Sequence, residues 1–306
     1  MRIANPMYDV FFKFLMEDTD LAKELIGTII DQEILSLELR PQETTLQIPN
    51  RYLSVIRLDF KATIKTKSGN YKKVLIEMQK GKHSFDIIRF RKYLGENYAK
   101  IDEVKNDSGE IEKMSLPIIA IYFLGFELDN VLAAVLQNKP EYHDVLTGKN
   151  LQVTNELVEQ LNHDCYFVQI PRLKIDLKNR VSKMLVIFNQ TFIVDANKKV
   201  LVIPDEMLED EELMKFIIRL SKPLLSERLL REAEAEEAME ETLDKLESKI
   251  EKIEGKLEKQ AVELEKQALE LETKDKELET KDKELERQAM ELAELKNRLN
   301  NLQNKT

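Results

Sequence analysis

The sequence predicts an α/β body over residues 1–222, followed by a long helix with coiled-coil character over residues 223–306. Three observations carry this. Period-two alternation and an apolar β-branched run mark strands in the first part, and apolar residues at helical spacing mark helices between them. Beyond Pro223 the composition turns to Ala, Leu, Glu, Lys and Gln, with one glycine, Gly255, and no further proline.

The elements follow in order. Residues 7–16 and 21–30 show helical apolar spacing, with Pro6 placed for a first helical position. Residues 56–66 and 72–79 alternate as strands around a Ser68, Gly69, Asn70 turn signal. Ile87, Phe90, Leu94, Tyr98 and Ile101 lie on one helix face. Residues 117–124 form a continuous apolar run, as in a strand buried on both faces. A short strand at 166–170 and helices at 181–189 and 206–220 complete the body. In the tail Leu243, Ile250, Leu257, Leu264, Leu271, Leu278, Leu285, Leu292 and Leu299 recur every seven residues. That period keeps one stripe facing a partner in a left-handed supercoil, so a homodimer is expected. The companion stripe three residues on is apolar at its ends and Gln or Lys in the middle, and LETKDKE at 271–277 repeats unchanged at 278–284.

Charge is unevenly spread. Of the 306 residues 34% are charged and 7% aromatic, too polar a mixture for one uniform globule. From Pro223 on there are 24 acidic and 16 basic residues, against 33 and 31 before it, so the net charge of -10 sits mostly in the tail. A nearly neutral body can still present a basic face to nucleic acid. The lone Cys165 excludes a disulfide framework or a cysteine-based zinc cluster and fits a reducing cytoplasm. The first ten residues show no apolar signal core, and the longest apolar stretch, residues 116–126, is too short to span a bilayer. A cytoplasmic protein with no membrane partner is therefore expected. No phosphate-binding loop, dinucleotide fingerprint or nucleophile elbow is present. His83, His143 and His163 lack the mutual spacing of metal ligands.

Chemistry concentrates in residues 57–100. In the first strand Leu58, Phe60, Ala62 and Ile64 share one face, and Arg57, Asp59, Lys61, Thr63 and Lys65 the other. In the second, Ile76 and Met78 oppose Glu77 and Gln79. A three-residue loop sets Asp59 opposite Gln79 and next to Glu77, whereas a two-residue loop shifts the register and breaks the cluster. Two carboxylates facing one way suit a hard divalent cation, Mg²⁺ or Mn²⁺. Taken alone, the alternation more commonly marks an ordinary strand face that carries charges because it meets water.

The ordered set of segments changes that balance. YDVFFKFLM (8–16), RLDFKATIK (57–65), VLIEMQK (74–80), DIIRFRKYLGENY (86–98) and SLPIIAIYFLGF (115–126) together resemble the PD-(D/E)XK nuclease superfamily, and within it the Rpn family of recombination-promoting, transposase-like nucleases. The resemblance implies a mixed sheet flanked by helices and a Mg²⁺-dependent DNA endonuclease acting in recombination, mobile-element movement or defence. It implies Asp59 and Glu77 as metal ligands. Gln79 stands where the superfamily usually has lysine, and the Rpn branch often reads Glu-x-Gln. Leu58 replaces the motif proline. Asp9 and Lys13, four apart on the first helix, are placed beside the site. Lys80 is adjacent but belongs to the other strand face. Arg89 and Lys92, off the apolar stripe of their helix, are phosphate-contact candidates. The alternatives are a non-catalytic, nuclease-derived interaction protein assembled through its tail, and a nuclease acting on RNA.

Overall fold

The computed structural model describes residues 1–39, 60–81, 84–105, 108–153, 155–194 and 198–303. The chain falls into two compact units, Met1–Met239 and Glu240–Thr306.

The first unit opens with β1 (Arg2–Ala4), α1 (Asp9–Met16) and α2 (Thr19–Ile30). Pro6 lies in the turn before α1 rather than in its first position, because Asn5 shapes that turn. The buried Asn5 accepts from the Met7 N–H and donates to Lys198 O and Gln190 Oε1. Asp18 caps α2 by accepting from the Leu21 N–H. Gly27 is required inside α2, since a Cβ there would stand 2.7 Å from Gln32 O.

The strands β2 (Ile34–Leu39), β3 (Phe60–Thr66) and β4 (Tyr71–Gln79) form an antiparallel run. The β3–β4 loop does have three residues, but they are 67–69, because Gly69 takes the left-handed conformation (φ +85°) at its last position. Phe60 therefore pairs with Ile76, where the expected register would set it opposite Met78. A shift of two preserves the faces. Residues 57–59 of the expected strand, Asp59 among them, lie outside the described residues.

After β4 come α3 (Ser84–Ala99), the hairpin β5 (Asp102–Lys105) and β6 (Ile111–Met114), and β7 (Ile118–Leu124). Strand β7 runs parallel to β4 and is buried along its whole length. Ile101, assigned by its spacing to the helix stripe, lies past the end of α3 and is exposed. Strand β8 (Val135–Asn138), the small β9 (Tyr142–His143) and β10 (Asn150–Leu151) pair, and α4 (Glu156–Gln160) lead to β11 (His163–Gln169), parallel to β7. The described strands give a mixed sheet in the order β2-β3-β4-β7-β11-β8. Then follow α5 (Arg180–Leu185), β12 (Val200–Val202), which pairs with β1, and α6 (Glu211–Ser221), capped by Asp210.

Both sheet faces are covered. Phe60, Ala62, Val74, Ile76, Ile121 and Phe123 join the main core with α1, α2 and α6. The opposite face packs Leu75 and Ile118 against Tyr93 of α3, and Ala120, Tyr122 and Cys165 against Phe90. Burial on both faces is why β7 shows no alternation.

The last helix, α7 (Glu227–Gln303), starts inside the first unit. Leu229 and Ala233 are buried against Ala4, Tyr8 and Phe11. The body thus extends past the expected boundary at residue 222. A chain ended after Met239 is expected to match the full-length body in urea unfolding. One ended after Lys222 is expected to lose about 3 kcal/mol, chiefly the burial of Leu229. Among the described residues no helix is long and apolar enough to cross a membrane.

Candidate functional site

Strand alternation sends Glu77 and Gln79 to the face that α3 covers. The polar strand face expected to meet water is instead enclosed: Lys61, Thr63 and Lys73 are buried, and Glu77 is 1% exposed. Gln79 is half-buried at the strand end. Lys61 pairs with Leu75, one diagonal step from both Lys73 and Glu77 and within reach of a lysine side chain. On the other side Glu77 pairs with Tyr122 of β7. The Tyr122 ring stacks on Phe167 at 4.9 Å and tilts against Phe90 at 4.2 Å. Burial pushes its phenol far above the usual range, with Cys165 and Glu77 adding to the rise. Enclosing a carboxylate costs several kcal/mol unless charges and hydrogen bonds offset it, so this face is polar by construction and not by contact with solvent.

The foundation of the face is an ion pair. Lys73 Nζ stands 2.6 Å from Asp102 Oδ2, with the two residues 1% and 7% exposed. Lys73 also donates to Asn97 O at 2.9 Å, which ties β4 to α3. At the far end of β4 the Gly125 N–H donates to Gln79 O at 2.7 Å. A Cβ on Gly125 would lie 2.5 Å from Lys80 O and 3.0 Å from Lys80 Cα. Gly125→Ala must therefore move backbone beside Gln79, and a loss of about 1–3 kcal/mol is expected in thermal unfolding.

The other sequence-predicted residues gather elsewhere. Asp9 and Lys13 form the expected i, i+4 pair at 2.7 Å. Lys80 turns to the face opposite Glu77, where its Nζ meets Glu236 Oε1 at 2.6 Å and lies 3.7 Å from the centre of the Tyr8 ring. Glu236 also accepts from the Asp9 N–H at 3.1 Å. Burial raises the Glu236 carboxyl, and Lys80 pulls it back. The structure thus divides the set: Glu77 and Gln79 share one face, while Asp9, Lys13 and Lys80 surround the root of α7. Lys92 is exposed on α3, and the Arg89 side chain lies outside the described residues.

Lys61, Lys73, Asp102, Tyr122 and Glu236 were not singled out by sequence. One signal existed: consecutive Lys72 and Lys73 in a strand must face opposite ways, so one of them must enter the protein. Asp102 and Glu236 carry no such mark. His163 shares a 2.6 Å hydrogen bond with the Tyr98 hydroxyl, and burial lowers its pKa. Cys165 is a core residue, its thiol pushed up to about 11 by burial and by Asp164.

Glu77 supplies carboxylate oxygen and Gln79 amide oxygen from one strand face, the hard donor types that Mg²⁺ or Mn²⁺ takes. Among the described residues no three His, Cys, Asp or Glu side chains converge, and Asp59 is outside that set. Comparison with protein-family models, curated proteins and solved structures gives no match.

Proposed function

We propose that the protein is a cytoplasmic, metal-dependent DNA endonuclease of the Rpn, transposase-like type, built on a PD-(D/E)XK arrangement. The observation that carries this is Glu77: a carboxylate enclosed on the central strand of a mixed sheet, one residue away from Gln79 on the same face. An ordinary polar strand face would be solvated, and this one is covered by α3.

Asp59 and Glu77 would hold the cation. When bound it supplies Lewis acidity at a phosphate oxygen and lowers the pKa of water. The chain's own residues do the rest. Gln79, with two N–H donors and one acceptor, orients the attacking water or a phosphate oxygen without adding charge. Lys61, one diagonal step from Glu77, would offset the charge of the enclosed carboxylate beneath α3. Tyr122 and Phe90 close the apolar side and exclude bulk water. Lys92 and Arg89 on α3 meet backbone phosphates. The tail joins two copies, so that two sites can act on two strands.

A non-catalytic role is favoured by one observation: Lys80, the lysine nearest Gln79 in sequence, is held by Glu236 on the far face. Incubation of supercoiled plasmid with Mg²⁺ or Mn²⁺ decides between the readings. Wild type is expected to nick it and Asp59→Ala is not. Loss of neither plasmid nor an RNA competitor would support the non-catalytic reading, and preferential loss of the RNA competitor would move the substrate to RNA.

A further inference from the structure

Among the described residues the leucine stripe of α7 lies open. Ile253, Leu257, Leu264, Leu271, Leu278, Leu285, Leu292 and Leu295 are each 54–65% exposed. The outward faces are already occupied by intrahelical pairs, Lys276 with Glu272 at 2.7 Å and Lys283 with Glu279 at 2.8 Å. Lys274, Lys281, Asp275 and Asp282 are left along the seam.

We infer that the second unit pairs with a second copy of this chain as a parallel, in-register, two-stranded coiled coil; this rests on the proposal above that the tail joins two copies. With the leucine set at heptad position a, the companion set falls at d. Parallel stacking opposes like with like. Every a layer is then Leu or Ile, and the d layers of Leu246, Ile253, Leu295 and Leu302 are apolar as well. Gln260, Gln267 and Gln288 meet their own copies, and each amide can both donate and accept.

An antiparallel pair that keeps the apolar ends together sets Ile250 against Leu295. It then forces Leu257, Leu264 and Leu271 against Gln288, Lys281 and Lys274. Every middle layer would hold one leucine against one polar group, forfeiting the apolar contacts that parallel stacking keeps.

Flanking charge is mixed and leaves the choice to the core layers. In a parallel coil position g faces e of the partner five residues on. Lys249 then meets Glu254 and Glu291 meets Lys296, an attractive pair near each end. In the middle Glu270 meets Asp275 and Glu277 meets Asp282, which are like charges. Lys274 and Lys281 meet their own copies at d, and these bordering acids offset that like charge across the seam. The repeated LETKDKE would tolerate a slip of one heptad, and the apolar end layers forbid it. A parallel coil starts both strands at the same end, so the two bodies enter it together.

Two full-length cysteine substitutions test this, Ile250→Cys and Leu295→Cys. The native Cys165 is buried, and the wild type serves as the uncrosslinked control. Under mild oxidation each variant alone is expected to convert mostly to disulfide-linked dimer, because like positions face each other. Linkage that appears only when the two variants are mixed would mean an antiparallel coil. It would overturn this inference while leaving the pairing of two copies intact. A monomer in sedimentation would overturn both, and three or more chains would overturn the two-stranded assignment.

Discussion

Glu77→Gln is expected to leave the protein folded and to lower metal-dependent plasmid cleavage by at least about 10²–10³-fold, the scale of losing one charge-stabilising group in a site. Glutamine keeps the volume and one acceptor oxygen, so the enclosed face beneath α3 stays filled. What disappears is the negative charge that holds a cation. Three measurements belong together: the thermal midpoint, Mn²⁺ binding by calorimetry, and the rate of supercoiled-plasmid loss. An unchanged midpoint with lost binding and lost cutting is the expected pattern. Wild-type cutting by the variant would remove Glu77 from the site. A collapse of the midpoint would make it a structural charge, and the proposed nuclease would then need another second acid.

Lys73→Met is expected to cost about 3–5 kcal/mol of stability, the largest effect of any single substitution considered. The ammonium is 1% exposed and stands 2.6 Å from Asp102 Oδ2, so its removal strands a buried carboxylate. It also removes the bond to Asn97 O that ties β4 to α3. The pair itself is weak evidence for stability, since its desolvation offsets much of its attraction. The double variant Lys73→Met, Asp102→Leu is therefore expected to recover most of the loss in urea unfolding. Failure of that rescue would mean that Lys73 acts on the fold mainly through Asn97. The substitution also tests the candidate site, because Lys73 and Glu77 share one strand face.

Much of this could be read locally. The β3–β4 hairpin, the run at β7 and helix α3 each declare themselves through period or composition, since a strand or helix half-buried in a core must alternate accordingly. Short edge pieces did not. The β1–β12 pair joins residues about two hundred apart in sequence and carries no turn signal between its strands. The register of β3 on β4 hinged on which loop position Gly69 takes, a matter of backbone conformation that composition does not encode. Among site residues, Glu77 and Gln79 were legible from alternation and from a family resemblance. Lys73, Asp102 and Glu236 were not, because their roles come from partners on distant elements.

The sequence alone determined the helical tail, its heptad stripe and the sharing of one strand face by Glu77 and Gln79. Each follows from a periodicity of the chain itself, 3.5 residues in one case and two in the other. Tertiary structure decided what those faces meet. Alternation says that two side chains point the same way, and it is the same whether water or a helix lies beyond them. Only the packing of α3 across β4, β7 and β11 turned a polar face into an enclosed one. Likewise helix-forming composition runs unbroken from the first turns of α7 into the heptads that begin at Leu243, and only the burial of Leu229 and Ala233 against α1 assigned those turns to the body. Burial is a property of what a surface touches, and contacts between distant segments are not written in local periodicity.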